Sequence, residues 1–309
     1  MAEDEQQEER ESVYAFESKG IKYRFDPKWY AVISLIIVFF LYQFVGGGLT
    51  LYLFGMIPSA DQNTAFRLAT MAVEVMFILI PAIFLARIQT MQWKSLLRIR
   101  KTDWYLIPLA IVGVISLEQF LELYLYVQSL IPLPQFVQRL LDQFQQAIEH
   151  LYSVLLSAHN PLEFLFVLLI IGITPAICEE TLFRGLVQGN FELSMSRKKA
   201  IILTGVIFGL YHMDPFTFVA LCSLGIYLSY LVSVSESIIV PMVGHFTNNF
   251  ISAYVVYATG KDSFIAPSGA HPLSVGYIIG WGAVFALIFG ATIALTEKYG
   301  HKIQEASTQ

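Results

Sequence analysis

Three short stretches of this sequence carry side chains able to move protons. They read Cys178-Glu179-Glu180-Thr181-Leu182-Phe183-Arg184-Gly185, Phe208-Gly209-Leu210-Tyr211-His212 and His245-Phe246-Thr247-Asn248-Asn249, and all three lie inside apolar runs. A charge within a bilayer costs several kcal/mol, so an ionisable group there is a functional candidate unless structure accounts for it. Glu180 and Arg184 are four residues apart, share a helical face and can pair, which offsets the desolvation of both. Glu179 points about 100° away around the helix. Without that partner it is the carboxylate left for acid–base chemistry. His245 and Asn249 share a face, being four apart as well. Pro175, four residues before Glu179, removes one backbone hydrogen bond and predicts a local irregularity beside the site.

The elements that must position these groups are transmembrane helices. Of 309 residues, 56% are hydrophobic and only 14% charged, with a mean hydropathy of +0.60, whereas a soluble domain carries roughly a quarter charged residues. Such a chain needs lipid as its solvent. Eight apolar runs are long enough to consider: Trp29–Met56, Phe66–Ile88, Trp104–Leu130, Leu162–Phe191, Ala200–Met213, Phe216–Val234, Ser237–Tyr257 and Ser274–Leu295. The fifth is short and must be buried among its neighbours or sit partly in an interface. Lys and Arg gather before the first run (Lys22, Arg24, Lys28), after the second (Lys94, Arg98, Arg100, Lys101), after the fourth (Arg197, Lys198, Lys199) and after the eighth (Lys298, Lys302). That alternation places both termini in the cytosol. The fold expected is an all-α polytopic membrane bundle of about eight transmembrane helices, N-in and C-in, over residues 29–296. Residues 1–28 are read as a polar, acidic, mobile tail and residues 297–309 as a cytosolic tail. The first run is long enough to act as a signal anchor and no cleavable signal peptide precedes it.

Other functions are disfavoured by composition. Clustered Lys/Arg with interleaved aromatics is lacking, which argues against nucleic acid as a partner. Cys178 and Cys222 lie singly in apolar runs and offer neither a disulfide framework nor a CxxC metal or redox pair. The connection between the third and fourth runs has apolar residues at three- and four-residue spacing, which predicts an amphipathic helix at about 135–157. Glu74, Glu118 and Glu122 also lie in apolar runs but without a neighbouring partner, and are read as structural hydrogen-bonding groups. Gly276 and Gly280 have GxxxG spacing, read as close packing within the bundle.

Depth provides a geometric check. Glu179, His212, His245 and Asn249 each lie about 8–12 residues from a cytosolic connection, which at 1.5 Å per residue is roughly 12–18 Å. All four fall at one level and can converge, nearer the cytosolic face.

This constellation resembles the family of membrane peptidases that includes the CAAX prenyl endopeptidases and the bacteriocin-immunity-type (CPBP or Abi) homologues. Its pattern of EExxxR, FxxxH and HxxxN on successive helices is matched here by Glu179, Glu180 and Arg184, by Phe208 and His212, and by His245 and Asn249, within a core at about 162–257. The resemblance implies hydrolysis of a peptide bond in a membrane-bound or lipidated substrate. On that pattern Glu179 and His212 activate water, and His245 and Asn249 stabilise the oxyanion. Glu180 and Arg184 then hold the helix in register, and Phe208 packs beside the His212 ring. An integral membrane location follows, in the cell membrane if the source is bacterial.

Metal dependence stays open at this point. Family members are often labelled metalloproteases, and Glu179, His212 and His245 could form a His₂Glu zinc site with an open position. No HExxH motif is present, and Asn249 is a poor zinc ligand but a good oxyanion donor, which favours a metal-free Glu/His mechanism. Two readings from other classes compete: a non-catalytic scaffold or regulator on the same fold, and a proton-coupled transporter. The scaffold should have lost motif residues, yet all are present. The transporter should show an internal repeat, and none is evident.

Overall fold

All eight apolar runs become helices. A computed structural model describes residues 16–306 except 19, 56, 57, 60, 61, 133 and 260–272. A hairpin of β1 (Phe16–Ser18) and β2 (Ile21–Tyr23) comes first. Then follow α1 (Pro27–Phe54), α2 (Asn63–Gln89), the one-turn α3 (Trp93–Leu96), α4 (Leu106–Ser129) and α5 (Gln135–Leu156). The remainder comprises α6 (Pro161–Ser194), α7 (Arg197–Tyr211), α8 (Phe218–Ser235), α9 (Ile239–Thr259) and α10 (Val275–Ala306). Met56, the expected end of the first span, lies outside the described residues.

Among the described residues six helices, α1, α2, α4, α6, α8 and α10, are long and apolar enough to cross a membrane. The other two expected spans fall outside that set for different reasons. Helix α7 has 15 residues, about 22 Å of length, which is short of a hydrocarbon core of ~30 Å. Helix α9 is long enough at 21 residues, but His245, Asn248 and Asn249 lower its mean hydropathy. Large apolar side chains face outward, Leu162 at 79% exposure and Leu287 at 74% among them. Surface of that kind is stable against lipid and not against water.

Two of three apolar clusters among the described residues hold most of the helices together. One packs α1, α2, α3, α6 and α7 through residues such as Leu35, Ile78, Leu97, Phe183 and Phe208. The other packs α4, α8, α9 and α10 through Val114, Leu117, Leu228, Val240 and Phe289. The crossing of α7 on α8 depends on absent side chains. A Cβ on Gly205 would stand 2.4 Å from the Ile226 nitrogen, and one on Gly225 would stand 2.6 Å from the Gly205 carbonyl oxygen. Both obstacles are backbone, so the helices can approach this closely only with glycine there. Gly205→Leu is expected to cost about 1–3 kcal/mol, read as a lower thermal midpoint in detergent. Gly276→Leu is the control, because nothing lies within 4 Å of a Cβ on Gly276 or Gly280. This corrects the expectation that the GxxxG pair packs inside the bundle: that face of α10 meets no other helix among the described residues.

Wide π-type turns interrupt several helices, at Phe40–Gly46, Val75–Leu79, Leu168–Ile173 and Thr181–Val187. Two of them lead into a proline, Pro81 and Pro175. Proline has no N–H and its ring crowds the preceding turn, and a turn widened by one residue accommodates both effects. The irregularity expected near Pro175 takes this form.

Two features outside the spans were not evident in the sequence. Within the segment read as a tail, the hairpin docks on the end of α2, where Thr90 Oγ1 donates to the Lys22 carbonyl at 2.6 Å and Gln92 Nε2 to that of Gly20 at 3.1 Å. On the opposite end of α2, Arg67 is 2% exposed. Its guanidinium donates to the Val154 carbonyl at 2.8 and 3.0 Å, to Ser157 and to Glu163 at 3.2 Å. Arg67 thereby closes the C-terminal carbonyls of α5 and fixes that amphipathic helix over the bundle.

Candidate active site

Helix α6 carries the acidic pair into the centre of the bundle. Glu180 and Arg184 are both fully buried, and Arg184 Nη1 donates to Glu180 Oε1 at 2.9 Å. Arg184 Nη2 donates to the Gly225 carbonyl at 3.0 Å, and its guanidinium lies 4.4 Å from the centre of the Phe208 ring. Both Nη groups and one ring face of the cation therefore have partners, which offsets much of the cost of burying its charge.

The same Glu180 oxygen has a second partner that periodicity could not reveal: His245 Nδ1, at 2.8 Å. A carboxylate only accepts, so Nδ1 carries the hydrogen and Nε2 is turned into the site. Glu180 thus orients a histidine from another helix as well as pairing with Arg184.

His212 is held in the same manner by different means. It stands on the C-terminal end of α7, where Met213 takes a left-handed φ of 51° and the helix stops. Its Nδ1 lies 2.8 Å from the Phe208 carbonyl, one turn back. The carbonyl accepts, which caps the helix end and leaves Nε2 facing the site. The Phe208 ring packs against both imidazoles, with centroids 4.6 Å from His212 and 5.8 Å from His245.

Glu179 completes the group. Its Oε2 stands 3.8 Å from His212 Nε2 and 4.0 Å from His245 Nε2. That oxygen is buried and has no hydrogen-bond partner. The carboxylate oxygen is too far from either nitrogen to bond it directly, and the gaps suit a small bridging molecule, since hydrogen bonds of about 2.8 Å span them.

Asn249, one turn beyond His245, is fixed through a defect in α6. The Ile171 carbonyl is four residues before Pro175 and so has no N–H donor at i+4. Asn249 Nδ2 donates to it at 2.9 Å. Asn248 Nδ2 donates to Asn249 Oδ1 at 3.2 Å. The amide orientation of Asn249 is therefore set, with one N–H spare. His212, Asn248 and Asn249 line one cavity of about 300 Å³, walled by Tyr152 of α5 and by Glu118 and Glu122 of α4. Spacing along the sequence assigns Asn248 no role and makes Glu118 and Glu122 structural groups. Their convergence on one cavity depends on helix rotation, which no local spacing encodes. Glu74, also read as structural, is buried with Oε2 unpartnered and within electrostatic reach of Glu179.

Zinc held by Glu179, His212 and His245 would draw the three donor atoms to about 3.4 Å from one another, the edge of a tetrahedron with bonds of about 2.0–2.2 Å. The observed 3.8 and 4.0 Å are wider, and no group of three or more His, Cys, Asp or Glu side chains is placed to hold a metal ion among the described residues.

A buried carboxylate and two imidazoles stand together here, with an amide one turn beyond, a set of groups able to move a proton. Residues 161–251 match the model of the family described as type II CAAX prenyl endopeptidase Rce1-like, from the start of α6 into α9. This is the group that the three motifs resemble, and the matched segment contains all seven of their residues. The match spans less than a third of the chain. It supports a CAAX-type intramembrane protease, and with six membrane-crossing helices an integral membrane protein. No curated protein matches the chain.

Proposed function

We propose that this protein is an intramembrane endopeptidase that hydrolyses a peptide bond in a membrane-bound or lipidated substrate by metal-free water activation. One observation carries the proposal: the unpartnered Glu179 oxygen faces the free nitrogens of two imidazoles whose other nitrogens are committed.

A water between Glu179 Oε2 and His212 Nε2 gives its proton to the carboxylate as its oxygen attacks the scissile carbonyl carbon. The negative charge gathers on the carbonyl oxygen. The spare N–H of Asn249 donates to it, and so does His245 when a proton occupies Nε2. Collapse breaks the C–N bond, and Glu179 returns the proton to the leaving nitrogen. Glu180, Arg184 and Phe208 touch none of the reacting atoms; they position the imidazoles. With both termini in the cytosol, the end of α7 and the middle of α9 lie below the cytosolic face within the hydrocarbon layer. A cut site there suits a substrate whose own anchor holds it in the bilayer.

The test uses detergent-purified protein on membrane-tethered peptides with and without a prenyl group. His212→Ala is expected to abolish cleavage of whichever is cut, and unchanged turnover in that variant would remove His212 from the mechanism. Asn249→Ala is expected to lower kcat by about 10²–10³-fold with little change in KM, the pattern of a donor used only in the transition state. A loss confined to KM would assign Asn249 to substrate binding instead.

A further inference from the structure

A second cavity, of about 380 Å³, opens between the hairpin turn at Gly20, the α3 region and the end of α6, and shares no residue with the site described above. Its lining holds Lys94, Arg98 and Arg100 against Glu192 and Glu236. The two carboxylates are already engaged. Glu192 accepts from Arg98 Nη2 at 2.5 Å, from Gln188 at 2.8 Å and from Ser233 at 3.1 Å. Glu236 Oε2 is shared between Arg100, at 3.0 Å, and Arg98 Nε, at 3.8 Å. Two anions thus serve two guanidiniums, leaving the charge of Lys94 over. Arg98 is only 6% exposed, yet its Nη1 has no hydrogen-bond partner. An unmade bond from a buried guanidinium is costly, and since Arg98 lines the cavity a small turn of its guanidinium would bring that N–H to an anion there.

The surroundings place this cavity at a membrane surface. Trp93 lies between the cations of Arg87 and Lys94, at 4.6 and 5.6 Å from its ring centre. Trp29 and Trp104, which stand at the start of α1 and just before α4, are 60% and 72% exposed. Exposed tryptophans beside lysine and arginine at helix ends are the mark of the headgroup layer.

We propose that this cavity is an anion site for a phosphate group, gripped by Arg98 and screened by Lys94 and Arg100. Arginine's planar fork matches phosphate oxygens. A phospholipid headgroup and free phosphate present the same chemistry, and the depth favours the lipid.

The experiment is a native mass spectrometry titration of the detergent-purified full chain with short-chain phosphatidylglycerol and, separately, phosphatidylcholine, beside thermal denaturation in inorganic phosphate. One phosphatidylglycerol is expected to be retained in preference to phosphatidylcholine. The exposed-residue variant Lys94→Ser/Arg100→Gln is expected to weaken retention by about tenfold or more. Arg98→Lys, which keeps the charge and loses the fork, is expected to weaken it too; if that protein does not fold, the double variant alone decides. Stabilisation by phosphate alone, lost in the double variant, also supports the site and assigns it to a soluble anion. Equal retention of both lipids with no phosphate effect, or binding indifferent to the double substitution, would overturn the proposal.

Discussion

Glu179→Gln is expected to lower turnover by about 10³-fold or more while leaving the fold intact. The amide keeps the shape of the side chain and removes its capacity to take a proton, and a positioned general base contributes about 10²–10⁴-fold. Glu179 Oε2 makes no hydrogen bond within the protein, so nothing structural is broken by the exchange. The two consequences separate in one preparation: peptide cleavage measured by chromatography, and the thermal midpoint measured in the same detergent. An unchanged rate would show that another group activates the nucleophile. A large drop in the midpoint would show that Glu179 supports the fold.

Arg184→Met has the opposite character. It is expected to destabilise the protein by about 3–5 kcal/mol, the usual result of removing one partner from a buried ion pair. Glu180 would be left fully buried, with His245 Nδ1 at 2.8 Å as its remaining hydrogen-bond donor. The Gly225 carbonyl would lose its 3.0 Å donor as well. The double variant Glu180→Gln/Arg184→Met is expected to recover much of that stability, because no uncompensated charge remains. It should not recover activity, since His245 loses the carboxylate that orients it. Denaturation of both variants in detergent, alongside cleavage rates, measures the two effects. Equal destabilisation by the single and double variants would mean that the pair acts through packing alone.

Much of the site was legible because its parts are local. The four-residue spacings of Glu180 with Arg184, Phe208 with His212 and His245 with Asn249 each place two side chains on one helical face. The eight helices were legible from the length of their apolar runs. What spacing cannot encode is how one helix is rotated against another. The bond from His245 to Glu180 spans 65 residues, and the partner of Asn249 is a carbonyl made available by Pro175. The wide turns in α6 shift the helical phase, so faces drawn on a regular helix drift along it. Glu118 and Glu122 show the same difficulty: one turn apart on α4, they look structural until α5 and α9 close a cavity around them. The hairpin escaped because its strands are three residues each and its anchors, Gln89, Thr90 and Gln92, lie far along the chain.

If water held by Glu179 and the two histidines hydrolyses a peptide bond, its oxygen ends in the product, which isotopic water reveals. The purified protein, treated exhaustively with chelator and checked for metal content, would be given a membrane-tethered peptide in ¹⁸O-water, with the Glu179→Gln protein in parallel. One new C-terminus bearing ¹⁸O is expected from the parent protein, formed at an undiminished rate after chelation, and none from the variant. Cleavage that persists in Glu179→Gln, or that stops when metal is removed and returns when zinc is restored, would contradict this mechanism.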